Sequence, residues 1–207
     1  MSYFTDPNNN FTVFEAPKNG GTTLRLWIYY AGTGKLIKSS DSEYYAGTGE
    51  TYNQLQEWGY VNGEYKNPNT EKVCITRDPV DRFVSAFHDK VIKEGRIKVT
   101  LDDFLDNFDE VLDKSTMKMN DGKTNFMRFH FEPQTYHFGT DRDSYHKVFD
   151  IKEIGLGLKR YLESRWYVEL PSIHARNSGR GRKFDLSKGQ LTKVKEIYAQ
   201  DYENGWY

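Results

Sequence analysis

The feature that most constrains the fold is a pattern that recurs along the chain: a short apolar run, a loop of turn residues, then a stretch with helical periodicity. In FTVFEAPKNGGTTLRLWIYYAG (residues 11–32), FTVFE reads as a short buried strand. Leu24, Trp27, Ile28 and Ala31 then share one helical face before Gly32 closes the helix. In the second instance KVCIT (72–76) is a strand, and Asp78 is placed to cap a helix with Pro79 at its first position and Asp81 in its first turn. Val80, Phe83, Val84, Phe87 and Val91 form its apolar stripe, and Gly95 ends it. A third instance pairs KVFDI (147–151) with a helix through KEIGLGLKRYLES. Strands that alternate with helices predict an α/β fold, a three-layer sandwich around a central parallel sheet.

The remaining segments fill in this plan. TLDDFLDNFDEVLDK (100–114) predicts one amphipathic helix with its carboxylates outward, and a last helix begins at Ser187 with Leu191, Val194, Ile197 and Tyr198 inward. Residues 33–71 are rich in Gly, Tyr, Ser, Asn and Thr and predict loop, with one helix around ETYNQLQEW (50–58). No sequence repeat or second domain is visible, so a single domain over residues 1–207 is expected.

Charge narrows the partners. Twenty-nine basic against 30 acidic residues leave a net charge of −1, with no overall field directed at nucleic acid or a membrane surface. An anion site must therefore be local. Cys74 is the single cysteine and lies in the strand KVCIT, which excludes internal disulfides and four-cysteine zinc sites. The N-terminus lacks a basic segment followed by an apolar one, and no window of 18 residues is apolar; a cytoplasmic protein of bacterial or phage type with no membrane span is expected. The oligomeric state is not legible.

The loop after the first strand carries the chemistry. Gly20 and Gly21 let the backbone approach an anion, the following helix N-terminus directs its dipole there, Thr22 and Thr23 offer hydroxyls, and Lys18 adds a full charge. This is not the Walker loop GxxxxGK[ST], because the lysine precedes the glycines. Arg77, at the end of the second strand, and Ser85, two turns into the next helix, can grip a second phosphate.

Taken together, APKNGGTTL (16–24) resembles the 5′-phosphosulfate-binding loop of sulfotransferases that use 3′-phosphoadenosine-5′-phosphosulfate (PAPS). TRDPVDRFVSAF (76–87) resembles their 3′-phosphate segment, with Arg77 and Ser85 eight residues apart. EPQTYHFG, KVFDIKEIGLGLKRYL and LTKVKEIYAQDYENGWY are similar to the carbohydrate, Golgi-type branch of that family. The resemblance implies a P-loop-like sulfotransferase architecture, PAPS as co-substrate, adenosine 3′,5′-bisphosphate (PAP) as product, and in-line sulfuryl transfer to a hydroxyl, of a saccharide by analogy, without metal. Lys18 would neutralise the departing 5′-phosphate, and Asn19, Gly20, Gly21, Thr22 and Thr23 would cradle it. Arg77 and Ser85 would hold the 3′-phosphate. Arg176, Asn177, Ser178, Arg180 and Arg182, in HARNSGRGRK (174–183), resemble the segment that closes over the nucleotide.

The general base is not singled out. Residues 31–72 contain no histidine, and of Glu43, Glu50 and Glu57 the first best suits a glutamate that follows the first helix; His130 could reach from a loop, with His88 and His146 weaker candidates. Two other functions stay open on the residues alone: a catalytically silent protein that binds a nucleotide or sulfated glycan, and a small nucleotide kinase.

Overall fold

The computed structural model describes residues 2–6, 8, 10–36, 50–62, 69–119, 122–173 and 184–207. The chain forms two compact units: residues 1–76 with 141–177, and residues 77–140 with 178–207.

The first unit holds the sheet. Its strands are β1 (Ser2–Asp6), β2 (Phe11–Glu15), β3 (Tyr60–Asn62), β4 (Glu71–Thr76) and β5 (Lys147–Asp150), in the order β3-β1-β2-β4-β5. β2, β4 and β5 pair in parallel, as the alternating pattern predicts, and β1 runs antiparallel to both β2 and β3. β2 is buried along its whole length, which explains why FTVFE reads as an apolar run rather than an alternation. Sequence reading missed β1 and β3. β1 is tied to β2 by a turn in which Asn8 N–H donates to Asp6 Oδ1 at 2.8 Å and Asn10 adopts φ 52°.

Helix α1 (Gly21–Thr33) runs one residue past Gly32 and ends at Gly34, whose φ of 69° lets its N–H reach Tyr30 O. With α2 (Glu50–Glu57) and α8 (Lys159–Trp166) it covers one sheet face. Leu24, Trp27 and Ile28 meet Val13, Val73 and Ile75 there, while Tyr161 and Trp166 pack edge-on and tilted against Phe11. Each large apolar side chain buried in this way contributes roughly 1.5–3 kcal/mol.

The second unit is helical: α3 (Pro79–Phe87), α4 (Leu101–Asp106), α5 (Phe108–Asp113), α6 (Phe126–Phe131), α7 (Gln134–Phe138), α9 (Lys188–Ile197) and α10 (Ala199–Glu203). The expected stripe of α3 is buried, with Phe83 in ring contact with Phe87, Phe104, Phe131 and Tyr198. The single helix expected over 100–114 is instead two. Asn107 leaves helical geometry at φ −124° and ψ 35°, and both its backbone N–H and its side-chain Nδ2 donate to Asp103 O, each at 3.1 Å. Among the described residues no helix is long and apolar enough to cross a membrane.

Candidate functional site

In the first unit, β2 and β4 end side by side, with Glu15 opposite Ile75. This is the edge of a parallel sheet at which ligands are received. The chain turns there through a tight bend in which Asn19 N–H donates to Ala16 O at 3.1 Å. The Asn19 side chain is fully buried and donates through Nδ2 to Ile75 O at 2.7 Å, tying the loop to the end of the neighbouring strand. Asn19 therefore fastens the loop to β4.

Two glycines serve different needs. Gly20 takes φ 89°, in the left-handed region that side chains disfavour. Gly21 is required for space: a Cβ there would lie 1.8 Å from Glu15 Oε2 and 2.6 Å from Oε1. Lys18 sits at φ 72°, a strained setting for a long side chain, of the kind that concentrates at functional positions.

The helix that follows is open at its head. α3, α4, α6 and α9 each begin on a side chain that accepts a first-turn amide: Asp78, Thr100, Asn125 and Ser187. α1 begins on Gly20, has no capping side chain and carries no acidic residue in its first turn. The Gly21, Thr22 and Thr23 amides precede the first intrahelical bond, which Leu24 N–H gives to Gly20 O at 3.2 Å. Thr22 is half-buried and Thr23 buried. An anion fits such an end, through amide donors and the helix dipole together.

A buried carboxylate lies beneath this cradle. Glu15 is 4% exposed, and its Oε1 accepts from the Tyr60 hydroxyl at 2.5 Å and faces Arg25 Nη1 at 3.4 Å. Arg25 Nη1 also donates to the Tyr60 oxygen at 2.9 Å, and its guanidinium lies over the Tyr60 ring. Burial raises the Tyr60 hydroxyl well above its ordinary range, with Arg25 opposing the shift and Glu15 adding to it, so the tyrosine stays protonated as a donor. Arg25 and Tyr60 offset a negative charge that would otherwise oppose an incoming anion. Glu15 is detectable in the sequence as the residue two beyond Val13, on the same buried strand face. Arg25 and Tyr60 carry no comparable signal.

The second unit begins with Arg77, the residue after β4. The Asp78 side chain accepts from Asp81 N–H at 2.8 Å, as expected of a cap. On α3, Pro79, Val80, Arg82, Phe83, Val84, Ala86 and Phe87 are buried, whereas Asp81 and Ser85 are half-buried. Arg77, Asp81 and Ser85 follow each other at four-residue spacing, so the last two share one helical stripe directly downstream of the arginine.

The Arg77 backbone is held by Gln134. Its N–H donates to Gln134 Oε1 and its carbonyl accepts from Gln134 Nε2, both at 2.9 Å. Gln134 is fully buried at the start of α7, where Asp201 Oδ2 and Oδ1 accept the Gln134 and Thr135 amides at 3.0 and 2.7 Å. Beneath them Arg82, also fully buried, donates to Glu132 O at 2.6 Å and lies over the Tyr198 ring, whose hydroxyl donates to Phe131 O at 2.7 Å. Asp201 had a legible sign: it continues the register of Val194 and Tyr198, a carboxylate on an apolar helix face. Gln134 had none.

The base candidates fare unevenly. His130 lies on α6 rather than in a loop; its Nδ1 donates to Phe126 O at 2.7 Å, which assigns the acceptor lone pair to Nε2. His88 is half-buried in the π-helical turn His88–Lys93 after α3. His146 is exposed at the other end of the sheet from the loop, where its Nδ1 accepts from Lys72 N–H at 3.0 Å. Glu57 is exposed near the end of α2. Glu43 and the basic segment with Arg176, Asn177, Ser178, Arg180 and Arg182 lie outside the described residues.

Searches of curated proteins and of solved structures return no match. A family model described as the sulfotransferase family, however, matches residues 1–204, nearly the whole chain. With a mostly parallel sheet, a glycine loop at its receiving edge and an uncapped helix behind that loop, the chain belongs to the sulfotransferase family, and sulfuryl transfer is the chemistry that membership carries.

Proposed function

We propose that the protein transfers a sulfuryl group from PAPS to a hydroxyl of a carbohydrate acceptor. The observation that carries the donor half of this reading is the head of α1, which no side chain caps, behind a loop whose glycines leave room only for backbone. The amides of Gly20 to Thr23 and the Thr22 and Thr23 hydroxyls receive the 5′-phosphate, with Asn19 holding the loop to β4. Lys18 supplies positive charge where the departing 5′-phosphate gains negative charge. Arg77 and Ser85 receive the 3′-phosphate, which separates this nucleotide from ADP and ATP. Arg176, Asn177, Ser178, Arg180 and Arg182 close over the nucleotide.

The attacking hydroxyl must lose a proton, and Glu43 and His130 are the two candidates for that task. His130 is held with Nδ1–H on Phe126 O, the tautomer in which Nε2 is the basic nitrogen. The carbohydrate acceptor is supported by the similarity of EPQTYHFG and of the C-terminal segment to the carbohydrate branch of the family.

The test is incubation with sulfur-labelled PAPS and a panel of mono- and oligosaccharides, with labelled sugar and PAP both quantified. Turnover that Lys18→Ala lowers by about 10²–10³-fold, with PAP affinity changed far less, is the expected result. PAP binding with no labelled product, and PAPS breakdown indifferent to Lys18→Ala, would make the protein a silent nucleotide-binding member instead.

A further inference from the structure

Arg77 has two backbone polar groups, and one side chain holds both: Gln134 accepts its N–H and donates to its carbonyl, each at 2.9 Å. These groups lie on either side of the Arg77 Cα, so both of its soft dihedrals fall inside the ring that the amide closes. A carboxamide presents one donor and one acceptor side by side, the same pair that a neighbouring strand would present. Beyond the end of β4, Gln134 thus takes the part of a strand partner for one residue.

The amide is itself fixed. Gln134 is fully buried, and its own N–H is taken by Asp201, a fully buried carboxylate whose second oxygen takes the next amide, Thr135. Asp201 thus accepts two successive amides of α7, one on each oxygen, at 3.0 and 2.7 Å. α10 is joined to the same helix by Thr135 Oγ1 donating to Gln200 O at 3.1 Å and by Trp206 Nε1 donating to Gly139 O at 2.9 Å, with the Phe138 and Trp206 rings in contact. A chain of bonds therefore runs from α10, through α7, to the backbone of a residue 124 positions earlier than Asp201 in the sequence.

We propose that Gln134, oriented by Asp201, is the positioning residue for 3′-phosphate recognition. It fixes the direction in which the Arg77 side chain leaves the backbone, so that the root of that side chain is set before the nucleotide arrives. This rests on the reading of Arg77 as the 3′-phosphate ligand. An arginine stem carries several rotatable bonds, and fixing its root removes part of the ordering cost that binding would otherwise carry. Gln134 does not touch the nucleotide in this scheme; it acts only through Arg77.

The experiment is calorimetric titration of the whole protein with PAP and with adenosine 5′-monophosphate, which differ only by the 3′-phosphate. Wild type, Arg77→Ala, Gln134→Leu and the double variant are compared, with folding of each checked by its thermal transition. The ratio of the two affinities in the wild type tests the role of the 3′-phosphate itself. A ratio of one overturns that reading and this inference with it. Given a ratio above ten, Gln134→Leu is expected to lower it at least about fivefold with the monophosphate affinity kept, and to add nothing once Arg77 is alanine. A folded Gln134→Leu protein with the wild-type ratio, or losses that add in the double variant, would overturn the positioning role while leaving Arg77 as a ligand. Should Gln134→Leu fail to fold, Gln134→Glu, which keeps the acceptor for the Arg77 N–H and at neutral pH lacks the donor for its carbonyl, undergoes the same comparison under the same two outcomes.

Discussion

The loop of residues 16–23 and the segment around Arg77, to which the proposed function gives the two phosphates, are built in opposite ways. The loop is a local device: a turn closed between Asn19 and Ala16, a glycine at φ 89°, and a helix head without a cap. The Asn19 side chain adds a distant anchor on Ile75. The Arg77 segment has an ordinary capped helix beside it and draws its order from Gln134 and Asp201, which are 57 and 124 residues away. A site assembled from neighbours tolerates distant change and fails when one of its own atoms is crowded. A site assembled from distant groups fails whenever its supporting helices loosen.

The largest effect that sharpens this contrast is expected from Gly21→Ala. The added methyl meets the Glu15 carboxylate, which is buried and held by Tyr60 and Arg25, so it cannot swing aside cheaply. A cost of about 1–3 kcal/mol in unfolding free energy is expected. Affinity for PAP and for adenosine 5′-monophosphate should fall together, since both need the 5′ cradle. Denaturant titration and calorimetry check the two halves of this outcome; loss of PAP affinity alone would contradict the assignment of the loop to the 5′ side.

A smaller effect concerns pH and the distant support. His137 is fully buried on α7, and burial, aided by the nearby Arg82 charge, pushes its imidazole well below the usual histidine range. Below pH 6.5 the unfolded chain binds a proton that the folded chain refuses, so the unfolded state holds more protons and stability falls as pH falls. That contribution is complete above pH 6.5 and is lost as pH drops toward the folded-state pKa, at up to about 1.4 kcal/mol per pH unit. Unfolding free energies measured between pH 5 and 8 should show this slope in the wild type and a shallower one in His137→Leu. Equal slopes in the two proteins would contradict the assignment to His137.

How much could be read from the sequence follows the same division. β2, β4, the cap at Asp78 and the helix start at Ser187 are local patterns, and the residues that make them are adjacent in the chain. The turn through residues 16–20 into the helix that follows was legible for that reason. β1 was missed because polar Ser2, Thr5 and Asp6 break its apolar run, and its partners β2 and β3 flank it only in the folded chain. The break at Asn107 was missed because an apolar stripe does not reveal that one asparagine bonds back to Asp103 O. Gln134 was invisible for a deeper reason: nothing in EPQTYHFG specifies a partner 57 residues upstream, and hydrogen-bond complementarity between such positions appears only once the chain is folded.

The proposed function requires this member of the sulfotransferase family to recognise a nucleotide by its 3′-phosphate as well as its 5′ end. The most direct measurement is calorimetric titration with PAP set against ADP, in the absence of magnesium, for the wild type and Arg77→Ala. Micromolar or tighter binding of PAP, much weaker binding of ADP, and a loss of at least about tenfold in PAP affinity on Arg77→Ala are expected, in keeping with one charge-assisted contact. Equal affinity for the two nucleotides, or PAP binding unchanged by Arg77→Ala, would contradict it.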